Sequence, residues 1–338
     1  MAVTGALLVY AALLGGPAGR MLTRSEWAVR APRPALLAWH TCAAGFLLSV
    51  AGVLVLTAHD LWKHVLIKLF HATEAEIHAV YTGPWHVQLI ADAALLLLLG
   101  GPTALAVHTA RRARRARHER SRHRLATDAL TEPGHDDLGS VRILDHPAPA
   151  AFCIPGPRKA GRIVVTRGAL GLLTEEEVAA TVAHEQAHLR FRHSRAILLA
   201  DALTSAVGWT GALRDYARQV RRLTEMAADD YAAERHGRRT VASALLTMCT
   251  ADNSGTQNGT ALLSLTGQDP AERIRRLIKA VPPTAGRVPR LLAVCAATTV
   301  LALPPVLSLA PAAALAGTVH CVTDCRDQSP GTPLPVPR

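Results

Sequence analysis

Four apolar runs with arginines at one end constrain this chain more than any other feature. Met1–Ala18, Leu36–Thr57, Val87–Val107 and Leu291–Leu315 approach or reach the length a helix needs to cross ~30 Å of hydrocarbon. Within lipid each backbone N–H and C=O must find its partner inside the segment, so runs of this kind fold as helices. The arginines give their direction. Arg20, Arg24, Arg30 and Arg33 follow the first run, Arg111, Arg112, Arg114, Arg115, Arg117, Arg120, Arg122 and Arg124 follow the third, and Arg287 and Arg290 precede the fourth. Positive flanks stay in the cytoplasm, which places both termini outside and the long stretch before the last run inside. No Lys or Arg precedes the first run, so it does not read as a secretory signal.

The net charge of +11 would usually raise nucleic acid as a partner. Here the basic cluster flanks an apolar run and has no aromatic residues interleaved for base stacking, so it marks topology and no direct nucleic-acid binding is expected. The outside loop His59–Trp85 holds several histidines, but their spacing gives no closed ligand set. Gly317–Arg338 is rich in Pro, Thr and Gly and cannot build a core. Its Cys321 and Cys325 lie on the oxidising side, where a disulfide can form.

One stretch carries chemistry. Thr181–Leu189 reads Thr-Val-Ala-His-Glu-Gln-Ala-His-Leu, an H-E-x-x-H pattern in a helical setting. His184 and His188 project from one face a turn apart and can share one metal ion. A zinc ion with an open position lowers the pKa of its water to about 7, and Glu185 is placed to handle the proton. Upstream, Thr174 and Glu177 have the form of a capping box. Val178, Val182 and Leu189 make an apolar stripe, and Glu185 falls on it. A carboxylate there is costly unless something charged meets it.

A further protein ligand is needed. Arg222–Tyr231 is again helical, with Glu225 and Asp229 a turn apart on one face. Glu225 suits the third ligand position, and Asp229 suits accepting the free N–H of a ligating histidine. Ala227 and Ala228 would let this helix come close. Ile163–Thr166 reads as a short strand, either an edge on which an extended substrate could pair or a strand there for packing alone. Leu125–Pro149 reads as a polar connector, Ala196–Gly211 as a further membrane span or, the favoured reading, a buried or membrane-docked helix, and Thr240–Thr250 as another helix. Ala251–Thr260 reads as an exposed loop. Asp269 and Pro270 open a helix whose Arg273 braces the site, steadies the transition-state oxyanion, or lies at the surface. His193 either stands behind a ligand or, the reading favoured here, is a cation at a helix C-terminus.

In order, Ala151-Phe152-Cys153-Ile154-Pro155-Gly156, Arg162–Gly168, His184–Arg190 and Glu225-x-x-x-Asp229 resemble the BlaR/MecR-type integral-membrane zinc metallopeptidases, relatives of the HtpX/Ste24 group. The resemblance covers Ala150–Val281 and the membrane layout. It implies Zn2+ bound by His184, His188 and Glu225, with Glu185 as general base and Asp229 supporting a histidine. BlaR/MecR proteins carry a penicillin-binding sensor domain after their last membrane helix. Only about twenty residues stand there in this sequence, so antibiotic sensing is not expected.

The expected fold is therefore a mainly α, polytopic membrane protein of about four transmembrane helices. A zincin-like α+β metallopeptidase domain is inserted before the last span. Residues 1–110 would hold three spans, 111–149 a basic cytoplasmic connector, 150–286 the peptidase, 287–316 the fourth span and 317–338 the outer tail. The expected partners are membrane lipid and a polypeptide substrate, such as a cytoplasmic transcriptional repressor or the enzyme itself. A membrane quality-control protease is the alternative enzyme. A non-catalytic receptor or scaffold is the alternative outside enzymes, although a scaffold has no use for Glu185.

Overall fold

The computed structural model describes residues 2–58, 71, 73, 75, 85–133, 141–156, 161–254, 270–279 and 294–309. The protein is mostly helical. The first helices are the apolar α1 (Ala2–Gly15), the short polar α2 (Pro17–Arg24) and α3 (Glu26–Arg30), the apolar α4 (Pro32–Thr57), and α5 (Trp85–Leu130), apolar in its first half and basic in its second. Pro17 and Pro32 open their helices, where a fixed φ and a missing N–H cost nothing. Among the described residues, three stretches are long and apolar enough to cross a membrane: Val3–Arg24, Pro32–Thr57 and Asp92–Leu130. The fourth run shows as the shorter apolar helix Val294–Leu309. The rest of that run, most of the His59–Trp85 loop, residues 255–260, Asp269 and the tail with Cys321 and Cys325 lie outside the described residues.

Two compact units form. One comprises Met1–Leu14, Ala44–Ala104 and Thr298–Arg338, the other Gly15–Ala43 and Leu105–Ala297. In the first, a Cβ on Gly52 would lie 2.6 Å from Ser308 Oγ, and one on Gly45 2.8 Å from Leu14 Cδ1. Glycine at these points lets helices touch along their backbones, as helices within lipid commonly do.

In the second unit α5 runs unbroken through the arginine cluster to Leu130, because Ala and Arg are strong helix formers. The stretch read as a polar connector is thus partly helix, and it also supplies β1 (Thr131–Pro133) and β2 (Val141–Leu144). With β3 (Ala151–Ile154) and β4 (Arg162–Thr166) these make one sheet in the order β1-β2-β4-β3. β4 pairs parallel with β2 and antiparallel with β3. The expectation that Ile163–Thr166 forms an edge is therefore overturned. Its Ile163, Val164 and Val165 are buried between neighbours, and β3 holds the edge.

After α6 (Arg167–Leu172) comes α7 (Glu175–Arg190), the helix of the H-E-x-x-H pattern. Its start is the expected capping box, with the Thr174 side chain accepting from Glu177 N–H and the Glu177 carboxylate accepting from Thr174 N–H. One face of α7 packs Val182, with Val178 and Leu189 beside it, on Val141, Ile163 and Val165 of the sheet. Each such aliphatic side chain, fully buried, contributes about 1.5–3 kcal/mol. The other faces meet α9 (Tyr216–His236), which follows α8 (His193–Val207). Here the side chains are small: Ala187 against Ala228, and Ala180 and Ala183 in one cluster with Ala232. Alanines let the two backbones approach, so short polar side chains from both can reach one point. Leucine at Ala228 would overpack this contact and cost about 1–3 kcal/mol. α10 (Arg238–Ser254) and α11 (Pro270–Ile278) complete the layer through Val241, Ala242 and Leu277.

Candidate metal centre

The close contact of α7 and α9 brings together His184, His188 and Glu225. The His184 and His188 Nε2 atoms lie 3.2 Å apart; Glu225 Oε2 lies 3.5 Å from the first and its Oε1 3.5 Å from the second, and one donor atom from each residue falls within 4.8 Å of the other two. Ligands bound at 2.0–2.2 Å around a tetrahedral metal are about 3.3–3.5 Å from one another. The three donors therefore have the spacing that one zinc-like cation requires, and they are the metal-competent group among the described residues.

Behind each histidine stands a further group. Asp229 Oδ1 is 3.1 Å from His184 Nδ1 and accepts its proton, which leaves Nε2 free for a metal. Asp229 is itself clamped by Arg273 of α11, which donates to its two oxygens at 2.8 and 2.6 Å and reaches Glu225 at 3.2 Å. Arg273 is buried, so it braces the site and the surface alternative falls away. Behind His188, His193 Nδ1 lies 3.1 Å from His188 Nδ1. The reading of His193 as a cation at a helix C-terminus is overturned. Arg192 adopts a left-handed backbone (φ 55, ψ 40), which ends α7 and turns the chain back. His193 then opens α8, buried under the ligand with Phe191 stacked on its ring.

Burial lowers His193 to about 3, and the neighbouring His188 pushes the same way, so it stands neutral, and with the His188 proton on Nδ1 it accepts that hydrogen bond. Burial also lowers His188. For His184, burial works downward, but hydrogen bonds to Asp229 and Glu225 outweigh it and hold the ring up at about 10. Burial alone would raise Glu225, yet His184 and Arg273 bring it down to about 2. Asp229 behaves likewise, held far below the usual carboxylate range by Arg273 and His184 against the effect of burial. The charges count simply. Two buried carboxylates face one permanent guanidinium, which leaves one negative charge for a proton on His184 or for a cation held by the three donors. The donor set and its charge fit a divalent metal.

The centre opens into a cavity of about 660 Å³. Glu185 lines it beside the ligands. Ala151–Pro155 forms another part of its wall, Val241, Ala244, Leu245 and Met248 of α10 an apolar part, and Arg120, His123 and Thr127 of α5 a further part. Of these walls the sequence marks only Ala151–Pro155, as part of the motif order, and gives no sign that α5 or α10 lines the site. Their spacing gives no signal until the elements are packed. Cys153 and Cys249 also face the cavity. The Cys153 thiol is pushed well up by burial and by the Glu185 carboxylate, which makes it a poor nucleophile.

The profile of Peptidase family M48 matches residues 113–293, more than half of the chain. The chain belongs to peptidase family M48. The M48 match takes in the basic half of α5, the sheet, the H-E-x-x-H helix and α9 to α11. A segment of 68 residues is 35% identical to a protease HtpX homolog of Acidiphilium cryptum (strain JF-5), and it covers 20% of this chain. That segment spans about a quarter, 24%, of the curated relative's length. No solved structure matches the chain.

Proposed function

We propose that this M48 protein is an integral-membrane zinc endopeptidase that cleaves polypeptides at the cytoplasmic face. The observation that carries the reading is the three-donor set at 3.2–3.5 Å with Glu185 beside it in an open cavity. His184, His188 and Glu225 would hold the metal, which when bound makes a water acidic enough to ionise near neutral pH and polarises the scissile carbonyl. Asp229 and His193 keep the two imidazoles presenting Nε2. Glu185 takes the proton of the attacking water and delivers it to the departing amine. β3 leaves its outer edge unpaired among the described strands, and its residues line the cavity, so an extended substrate can add to it by ladder hydrogen bonds.

The BlaR/MecR-like order of motifs favours regulated signalling, with a transcriptional repressor or the enzyme itself as substrate. A quality-control protease for damaged membrane proteins is the second reading of the same chemistry. Zinc content of the detergent-purified chain tests the shared chemistry. Wild type should bind near one equivalent, and His188→Ala and Glu225→Ala should lose it. Glu185→Gln should keep the metal and lose peptide cleavage. A Glu185→Gln protein with unchanged cleavage would sink the peptidase reading and favour a scaffold.

A further inference from the structure

The end of α8 and the turn after it are positioned by residues that close apolar helices. Leu213 N–H donates to the carbonyl of Gly15, the last residue of α1, at 3.0 Å. Arg112 of α5 donates to the Asp201 carbonyl and the Ser205 hydroxyl, each at 3.2 Å, and His108 lies 3.0 Å from the same hydroxyl. His108 directly follows Val107, where the third apolar run stops. The turn is thus tied to Gly15, three residues before the first apolar run stops at Ala18, and to α5 just past the end of the third run.

At this level Trp209, in the short turn Gly208–Thr210, is 85% exposed, more than any other large apolar side chain among the described residues. Its indole N–H already donates to the Ala206 carbonyl at 2.9 Å, so no polar atom of the ring calls for water. The backbone holds it out: Gly211 (φ 83) and Leu213 (φ 54) are both left-handed, and Leu213 is buried as the pin of the turn. Exposed Arg214 follows at once. α8 itself has 15 residues, too few to cross a bilayer, and carries Asp201 paired with Arg221 at 2.5 Å.

We propose that Trp209 is an interfacial anchor seated in the anionic headgroup layer of the leaflet where α1 and α5 emerge. An amphipathic ring favours that depth, and Arg214 meets lipid phosphates there. Because α8 joins α7 to α9, the anchor fixes the metal-bearing pair relative to the bilayer. The proposal rests on α1 and α5 crossing a membrane and is independent of the peptidase reading.

The test uses the full chain in vesicles of phosphatidylcholine and phosphatidylglycerol, brominated at shallow or deep acyl positions. Wild type is compared with Trp209→Phe, with or without metal. The emission lost on substitution should be the component most quenched by shallow bromine and shielded from acrylamide. Arg214→Glu should weaken that quenching in phosphatidylglycerol vesicles and leave it unchanged in phosphatidylcholine alone. A Trp209 component open to acrylamide and untouched by bromine would overturn the proposal, and an Arg214→Glu protein identical to wild type would overturn its anionic partner. No quenching of any of the five tryptophans would overturn the spanning reading with it.

Discussion

His184 and His188 sit one turn apart on α7 and face the same point, yet the ground behind them differs. Behind His184 lies a buried ionic lattice, Asp229 clamped by Arg273, in which each charge exists because of the other. Behind His188 lies a neutral ring, His193, held by packing against Phe191, with the Arg33 guanidinium 4.4 Å above the Phe191 ring. The first support is part of what keeps α9 and α11 together. The second opens α8 and is held by its stack on Phe191. Removing a member of the first should therefore damage the fold, while removing the second should damage the metal site alone.

The largest effect is expected at Asp229→Ala. It leaves the Arg273 guanidinium buried without its carboxylate, a loss of about 3–5 kcal/mol. Thermal melting in detergent should show it even in metal-free protein, and a melting point equal to wild type would erase the contrast. Next comes His193→Leu, which should weaken zinc binding about 10–100-fold and leave metal-free melting nearly unchanged. His193→Asn, which can still accept from His188 Nδ1, should restore most of that affinity in a chelator titration.

A graded effect is expected from pH. In metal-free protein the folded pKa of His184 is raised to about 10 from 6.5. Its contribution to stability is full below about 6.5 and is lost as pH rises through about 10. Metal-free melting should thus fall from neutral to alkaline pH, while zinc-loaded protein, whose His184 carries no proton on Nε2, should not follow it. A metal-free protein that melts alike at both ends would count against the ionic lattice around His184. The smallest effect belongs to Arg192→Gly. Relief of the left-handed strain is partly offset by unfolded-chain entropy, a net gain of about 0.5 kcal/mol. A loss of zinc affinity without a stability gain would show instead that the arginine side chain steers the turn.

The same contrast explains what could be read in advance. Local rules reach the capping box at Thr174 and Glu177, the shared face of His184 and His188, and the shared face of Glu225 and Asp229, since each depends on helical spacing alone. They do not reach His193. A non-glycine residue gives no sign that it will turn left-handed, and without that turn His193 continues α7 and points elsewhere. Arg273 lies 44 residues from Asp229, so only packing of α11 on α9 pairs them. The strand order fails for a related reason: β3 and β4 are both short and apolar, and which one becomes the edge is settled by β2, whose sequence reads as a connector.

The unbroken course of α5 sets a length scale. Val107 ends the apolar run, and Arg120 and His123 line the cavity. At 1.5 Å per residue the rim stands about 20–24 Å along the helix from the end of the apolar run, where a membrane crossed by α5 would have its boundary. A tethered substrate leaving the bilayer in extended form would span that gap with about seven residues. Bonds nearer to its own membrane anchor would fall short of the cavity, so the helix would act as a ruler that spares the first few residues outside the lipid.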